Sequence, residues 1–255
     1  MLCPTDTPYL SHSRLTKYLL CPEQYRLYYV ENLRLRRLPA NLLFGQVVHR
    51  AMAYLFNARG DPVKDFINSW GEVRNMDVTY SARESWERLQ ECGQGLIHKF
   101  VSEELHHFGE IESVELDFRL TITSLDLPLV GIIDLVAEVD EKPTVVDFKT
   151  SASAYQPYEV ILSDQLTAYQ FAVPGAEQAA LCVLVKTKEP KIEWQFSRRG
   201  GEHLTEYLSK AEYLAQQILS NCFYKRPGKW CVYCDYLPVC TGDKQKTRET
   251  LVQIQ

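Results

Sequence analysis

A chain of 255 residues with 45% hydrophobic and 24% charged side chains has the composition of an ordinary globular protein, and its length suits one large domain or a domain with appended segments. No apolar run approaches the roughly 18 residues of a membrane helix, and the start, Met1-Leu2-Cys3-Pro4-Thr5-Asp6, lacks the basic and apolar regions of a signal peptide, so the expected setting is the cytoplasm, away from membranes. The net charge of −5 alone disfavours a nucleic-acid partner, but residues 1–60 carry +5, residues 221–248 carry +4 and residues 61–220 carry −13, so two basic ends that met in space would form one phosphate-binding face.

In chain order, Ser11 or Ser13 can cap a helix running to about Val30, with Leu15, Tyr18, Leu19 and Leu27 on its apolar side. Arg34, Arg36 and Arg37 fall in the basic connection that follows. A second helix is predicted from Phe44 to about Ala58, a third starts at the cap pair Asp61-Pro62, and residues 81–108 read as one long helix. The period then changes to alternation over 111–123, through Ile111, Val114, Leu116, Phe118, Leu120 and Ile122. Strands over 128–139 and 143–149 flank the turn Asp140-Glu141-Lys142-Pro143. A helix over 158–172, strands near 179–187 and 191–197, a helix over 201–220 and a loop-like, cysteine-rich tail complete the chain. The expected class is α/β with a mixed sheet. It divides into a helical part over 1–110, an αβ core over 111–200 and a C-terminal helix and tail over 201–255, all in a single domain.

Polar residues interrupt the apolar strands at one place. Gly131-Ile132-Ile133-Asp134 is followed by Val145-Val146-Asp147-Phe148-Lys149. Asp147 and Lys149 share a strand face, and Phe148 points the other way into the core. A hairpin centred between 140 and 141 sets Asp134 opposite Asp147. One centred between 141 and 142 sets it opposite Lys149. Either register gathers all three on one face. A surface salt bridge is the plain interpretation. Buried carboxylates, however, need a partner, and a hard divalent cation suits two aspartates, with Lys149 set to stabilise developing charge.

The order Gly-x-x-Asp then Asp-x-Lys resembles the PD-(D/E)xK nuclease superfamily. Gly45-Gln46-Val47-Val48-His49 is similar to the Gly-x-x-x-His helix of its RecB-like branch, and Gln165-Leu166-Thr167-Ala168-Tyr169 to that branch's Gln-x-x-x-Tyr motif. The resemblance, over residues 11–240, implies a restriction-endonuclease-like core. It also implies Mg²⁺ or Mn²⁺ held by His49, Asp134, Asp147 and the Phe148 carbonyl, with Lys149 as catalytic lysine and Gln165 and Tyr169 positioning DNA or the lysine. Glu115, on the first strand, is a further candidate beside its plainer role as an exposed strand residue.

Eight cysteines in a reducing compartment argue for a metal site or buried thiols rather than disulfides. Cys231-x₂-Cys234-x₅-Cys240 supplies three thiolates that lack a fourth; Cys21 in Cys21-Pro22-Glu23-Gln24-Tyr25 is the main candidate and Cys222 its rival. Cys3, Cys92 and Cys182 read as plain thiols. Spacing alone leaves zinc and an iron–sulfur cluster open, with Cys-x₂-Cys leaning to zinc. The stretch from Leu10-Ser11 to Cys21-Pro22 is similar to the N-terminal cysteine motif of iron–sulfur RecB-like nucleases, including CRISPR-associated exonucleases and the AddB nuclease domain, which implies a [4Fe–4S] cluster.

The resulting expectation is a metal-dependent deoxyribonuclease, acting as an exonuclease on single-stranded DNA or free ends. Arg34, Arg36, Arg37, Lys225, Arg226 and Lys229 are its candidate DNA contacts. A degenerate DNA-binding module and an RNA-cutting enzyme with structural zinc are the alternatives. No Gly-x-x-x-x-Gly-Lys-Ser/Thr loop is present, so a helicase, like CRISPR integration proteins, would be a separate chain.

Overall fold

The computed structural model describes residues 9–58, 60–82, 84–122 and 127–254. The chain gathers into two compact units, one of Met1–Arg37, Arg119–Val130 and Leu208–Gln255, the other of Leu38–Phe118 and Gly131–Tyr207.

In the first unit, the Ser11 hydroxyl accepts from Arg14 N at 3.3 Å and caps α1 (His12–Leu20). The helix predicted to reach Val30 breaks at Cys21, whose backbone is extended (φ −162°, ψ 113°). Pro22 is the cause: its ring disfavours the helical conformation of the residue before it, and then serves as first residue of α2 (Pro22–Tyr25). A π-helical turn over Arg26–Val30, with Glu31 N donating to Arg26 O at 3.0 Å, leads to β1 (Leu33–Leu35). Arg34 thus lies in a strand, not in a plain connection.

The second unit opens with β2 (Leu38–Pro39) and α3 (Ala40–Ala58), which starts four residues before its predicted Phe44. In α4 (Pro62–Val73), Asp61 accepts from Val63 N and Lys64 N at 3.0 and 3.1 Å, the cap that Asp61-Pro62 predicts. β3 (Val78–Thr79) pairs with β2. Ser85 caps α5 (Trp86–Glu103), which is shorter at both ends than the expected 81–108. Phe44, Phe66, Trp70 and Phe100 from these helices are buried against Leu135, Val146, Phe148, Ala180, Cys182 and Leu184, so the helices close one face of a sheet.

That sheet has five strands in the order β4 (Phe108–Ile122), β5 (Leu127–Val139), β6 (Lys142–Ser151), β7 (Gln178–Val185) and β8 (Lys191–Ser197). β5 and β6 are antiparallel, β6 and β7 parallel, β7 and β8 antiparallel. This is the mixed sheet expected of an α/β core. The parallel pair needs a crossover, supplied by α6 (Pro157–Ile161) and α7 (Asp164–Ala172). The single helix predicted over 158–172 is divided because Ser163 caps a new start, accepting from Leu166 N at 3.2 Å. Every residue of β7 is buried, as a central strand between two others requires. In β4, Ile111 and Val114 both reach the core although three apart. Glu115, the next residue, has a positive φ of 51°.

After α8 (Gly201–Leu219), the tail expected to be loop-like is ordered. A 3₁₀ turn over Lys229–Tyr233 precedes α9 (Leu237–Thr241), which ends on Gly242 at φ 78°. Asp243 then caps α10 (Lys244–Thr250), accepting from Lys246 N at 2.9 Å. β9 (Leu251–Gln253) pairs antiparallel with β1, Leu33 opposite Gln253 and Leu35 opposite Leu251, over a small core of Leu27, Tyr236 and Leu251. Among the described residues no helix is long and apolar enough to cross a membrane.

Candidate active site

The hairpin between β5 and β6 decides the register. Asp140 and Glu141 both have positive φ (49° and 63°), which makes the two-residue turn whose twist matches antiparallel strands. Val139 stands opposite Lys142 and Leu135 opposite Val146, which brings Asp134 into line with Asp147. Of the two predicted registers, this is the one with its centre between 140 and 141. Phe148 turns to the other face, where it is buried 5.8 Å from the Phe100 ring.

A chain of polar contacts gathers the motif residues of the second unit. Asp134 Oδ2 accepts from Phe148 N at 2.7 Å, and His49 Nδ1 lies 3.4 Å from Asp134 Oδ1. Lys149 Nζ lies 2.7 Å from Asp147 Oδ2 and donates to Gln165 Oε1 at 3.1 Å, and Gln165 Nε2 donates to the Tyr169 hydroxyl at 2.8 Å. Two glycines allow this closeness. A Cβ on Gly45 would meet Thr150 Oγ1 at 3.2 Å, so its absence lets α3 lie against the end of β6 one turn before His49. A Cβ on Gly131 would meet the Phe118 ring at 2.6 Å, and that ring stands edge-on to Tyr169, 5.7 Å away. Gly131→Val is therefore expected to displace Phe118 and Tyr169. It should cost about 1–3 kcal/mol of stability by overpacking, measured by chemical denaturation; an unchanged midpoint would refute the close approach.

Burial governs the electrostatics. Asp147 is 2% exposed, and burial pushes its carboxyl up, opposed by the Lys149 ammonium. Burial would lower Lys149, but the charge of Asp147 outweighs it and holds the ammonium protonated. Burial would likewise lower His49; its contact with Asp134 and the charge there prevail and raise it. Burial, with the charge of Asp147 next, raises the Tyr169 hydroxyl. The surface salt bridge of the plain interpretation is thus a buried ion pair. Beyond that ammonium, Asp147 Oδ2 has no polar partner.

An oxygen so placed fits a hard cation. Mg²⁺ takes one or two carboxylates and keeps several waters, so Asp134 and Asp147 suffice as its protein anchors. Among the described residues, no three His, Cys, Asp or Glu side chains are grouped closely enough to hold a metal ion by themselves. His49 Nδ1 stands 3.4 Å from one Asp134 oxygen, and the Phe148 N–H donates to the other. Glu115 is exposed and shares a cleft of about 460 Å³ with Asn41, Gln46, His49, Arg50 and Thr150.

The four candidate cysteines lie together in the first unit. Cys21 stands at the α1–α2 break, Cys231 in the 3₁₀ turn, Cys234 just after it and Cys240 in α9, and all four line one cavity of about 420 Å³. Lys225, Arg226, Trp230 and Leu237 line it too, so thiolates there would face two cations in an otherwise apolar wall. These thiols share one cavity, but among the described residues no three of them are grouped closely enough to hold a metal ion as they stand. Burial raises the Cys234 and Cys240 thiols. Cys222 does not line the cavity, and its carbonyl accepts from the Tyr18 hydroxyl at 2.5 Å. No disulfide involves Cys21, Cys92, Cys182, Cys222, Cys231, Cys234 or Cys240, and Cys3 lies outside the described residues.

The basic residues of the two ends come together in this same unit through the β1–β9 pair, but most are engaged with the chain itself. Arg34 donates to Leu33 O at 3.0 Å and lies 3.6 Å over the Tyr28 ring. Arg36 Nε donates to Arg248 O, Lys225 to Cys240 O, and Arg226 to Leu19 O. Arg36, Arg37, Lys225, Arg226 and Lys229 are all exposed.

Comparisons with known proteins follow the geometry. The crystal structure of a candidate exonuclease from Eubacterium rectale superposes with a TM-score of 0.55 at 14% identity, over 84% of this chain and 80% of that one, a likeness of fold alone. The crystal structure of a protein called SSO0001 gives a TM-score of 0.40 at 15% identity, over 90% of this chain and 95% of that one, too low to carry an argument. No curated protein matches the sequence. The family profile of the PD-(D/E)XK nuclease superfamily matches residues 9–241, a span holding the hairpin carboxylates, the lysine and the four clustered cysteines, and the chain belongs to that superfamily.

Proposed function

We propose that this chain is a divalent-metal-dependent deoxyribonuclease of the RecB-like branch, an exonuclease acting on single-stranded DNA ends. The observation that carries the reading is the buried Asp147 carboxylate with an oxygen short of partners, set in line with Asp134 and tied through Lys149 and Gln165 to Tyr169. Mg²⁺ or Mn²⁺ held by the two aspartates would supply Lewis acidity and lower the pKa of water at the scissile phosphate. Lys149, kept protonated by Asp147, presents a fixed positive charge to the phosphoryl oxygens as charge builds on them. Gln165 holds that ammonium through Oε1, and Tyr169 holds Gln165, so the lysine does not reorganise during the reaction. His49 and the Phe148 N–H hold Asp134 in place.

A digestion panel tests this. Linear single-stranded DNA should be shortened from its ends in Mg²⁺ or Mn²⁺, and circular single strands, duplexes and RNA should be poorer substrates. Cleavage that persists in EDTA, or RNA as the preferred substrate, would refute the assignment.

Two further parts rest on the same reading. The four-cysteine cavity is proposed to hold a [4Fe–4S] cluster, whose iron and sulfide content distinguishes it from zinc. The DNA face is proposed to include Arg34, Arg36, Arg37, Lys225, Arg226 and Lys229. Arg37→Glu with Lys229→Glu should weaken binding to DNA and lower the slope of log affinity against log salt by about one unit for each lost phosphate contact. Unchanged affinity and slope would leave those residues a solubilising role. A helicase or CRISPR integration proteins are the proposed partners, and co-purification with either is the direct check.

A further inference from the structure

The segment between the Asp-x-Lys strand and the Gln-x-x-x-Tyr helix carries an apolar display that folding does not explain. It starts two residues after Lys149 and ends at Ser163, two before Gln165, so both its ends belong to the site. Tyr155 within it lies in electrostatic range of the Lys149 ammonium. In and after α6, only Val160 points inward, at 2% exposure, whereas Tyr158, Ile161 and Leu162 are 62%, 55% and 74% exposed.

The turn is held firmly. Glu159 accepts from Gln156 N at 2.7 Å at its start. At its end the buried Arg199 guanidinium donates to Ile161 O at 2.5 Å and to Val160 O, while Arg199 N donates to Gln170 Oε1 of α7 at 3.0 Å. Gln195 Nε2 secures Tyr155 O at 2.7 Å. Three large apolar side chains on a braced turn remain in water at a free-energy cost, which marks a binding surface.

We infer that Tyr158, Ile161 and Leu162 form a platform for unpaired nucleobases of the strand bound at the active site. The inference rests on the nuclease reading and names its substrate more closely. The segment joins the strand that carries Lys149 to the helix that carries Gln165 and Tyr169, so it borders the place where the phosphate would lie. Its bases are flat apolar faces, and a tyrosine with two aliphatic neighbours takes them without regard to sequence. The bracing matters because a platform that had to be ordered on binding would lose affinity to entropy.

The test compares two single-stranded oligonucleotides of equal length, one ordinary with a 2-aminopurine near its end, the other with abasic residues over the same stretch. Binding is measured in EDTA, so that it does not depend on cutting. The wild-type chain should bind the ordinary strand roughly tenfold or more tightly than the abasic one, as one stacked base implies, and should change the 2-aminopurine fluorescence. Tyr158→Ser with Leu162→Ser should lose both the preference and the fluorescence change, keep its affinity for the abasic strand and keep its thermal midpoint. Equal affinities in the wild type, or a preference retained by the double variant, overturns the platform. So does a double variant whose only change is a smaller solution mass, which would make the patch a contact with a second copy. Cleavage of the ordinary strand by the wild type in Mg²⁺ is scored separately, and its absence counts against the nuclease reading alone.

Discussion

Cleavage by the Asp147→Ala protein is expected to fall at least about 10³-fold, with the fold intact. The apolar strand around Asp147 is held by Val145, Val146 and Phe148, all buried, so removing one carboxylate takes no hydrophobic surface from the core. It does leave the Lys149 ammonium without its carboxylate partner, so the alanine protein should stay folded but unfold earlier than the wild type. Lys149→Ala removes a preorganised cation beside the reacting phosphate, and losses of about 10²–10³-fold are usual for such groups. Asp134→Asn separates charge from structure. Its side-chain oxygen can still accept from Phe148 N, so the strand end should keep its shape while activity is lost. His49→Ala should lower the rate by freeing the Asp134 carboxylate that its ring contacts. Single-turnover rates on an end-labelled strand, with circular dichroism for folding, check the set. Near-normal rates in a folded Asp147→Ala protein would refute the mechanism.

The second large effect is expected at the cysteines. Cys21 and Cys231 stand 210 positions apart, yet both line one cavity. A group that binds them only in the folded chain adds its binding free energy to folding. The loop-closure estimate for a link of that span is about 5 kcal/mol, comparable to the net stability of a whole domain. Cys21→Ala, Cys231→Ala, Cys234→Ala and Cys240→Ala should therefore each yield colourless protein with a lowered thermal midpoint and a tendency to aggregate. Cys92→Ala and Cys182→Ala should stay coloured, because neither side chain lines the cavity. Iron, sulfide and zinc assays on protein purified without oxygen decide the occupant. Zinc alone would replace the iron–sulfur assignment, and a Cys21→Ala protein with full metal content and stability would end the four-cysteine argument.

Much of the site was readable because strand spacing is rigid. Asp147 and Lys149 had to share a face, and the hairpin limited Asp134 to two registers. What selected between them was the positive φ of both Asp140 and Glu141, and either residue could have stood at a turn of another length. Helix extents were less legible. Apolar periodicity runs through Cys21 and Ser163, but Pro22 ends one helix and the Ser163 hydroxyl starts another, so local chemistry overrode the pattern. The ordered tail was missed because α9 and α10 are too short to show a period, although Gly242 and Asp243 are a stop and a start signal in plain view. The engagement of Arg34 and Arg226 with backbone carbonyls has no sequence signature, since basic residues look alike whether they meet phosphate or their own chain.

The pairing of β1 with β9 also sets a timetable for biosynthesis. Leu35 leaves the ribosome long before its partner Leu251 is made. At about 5–20 residues per second the interval is roughly 10–40 s, during which the edge of β1 has no strand to meet. Cys21 waits slightly longer still for Cys240. The larger unit, by contrast, can begin to condense once β7 and β8 have emerged. A nascent chain can thus assemble the carboxylate–lysine site before the segment that binds its cysteine group exists. A translation product cut short before Leu251 would leave the β1 edge unpaired and open to association or proteolysis.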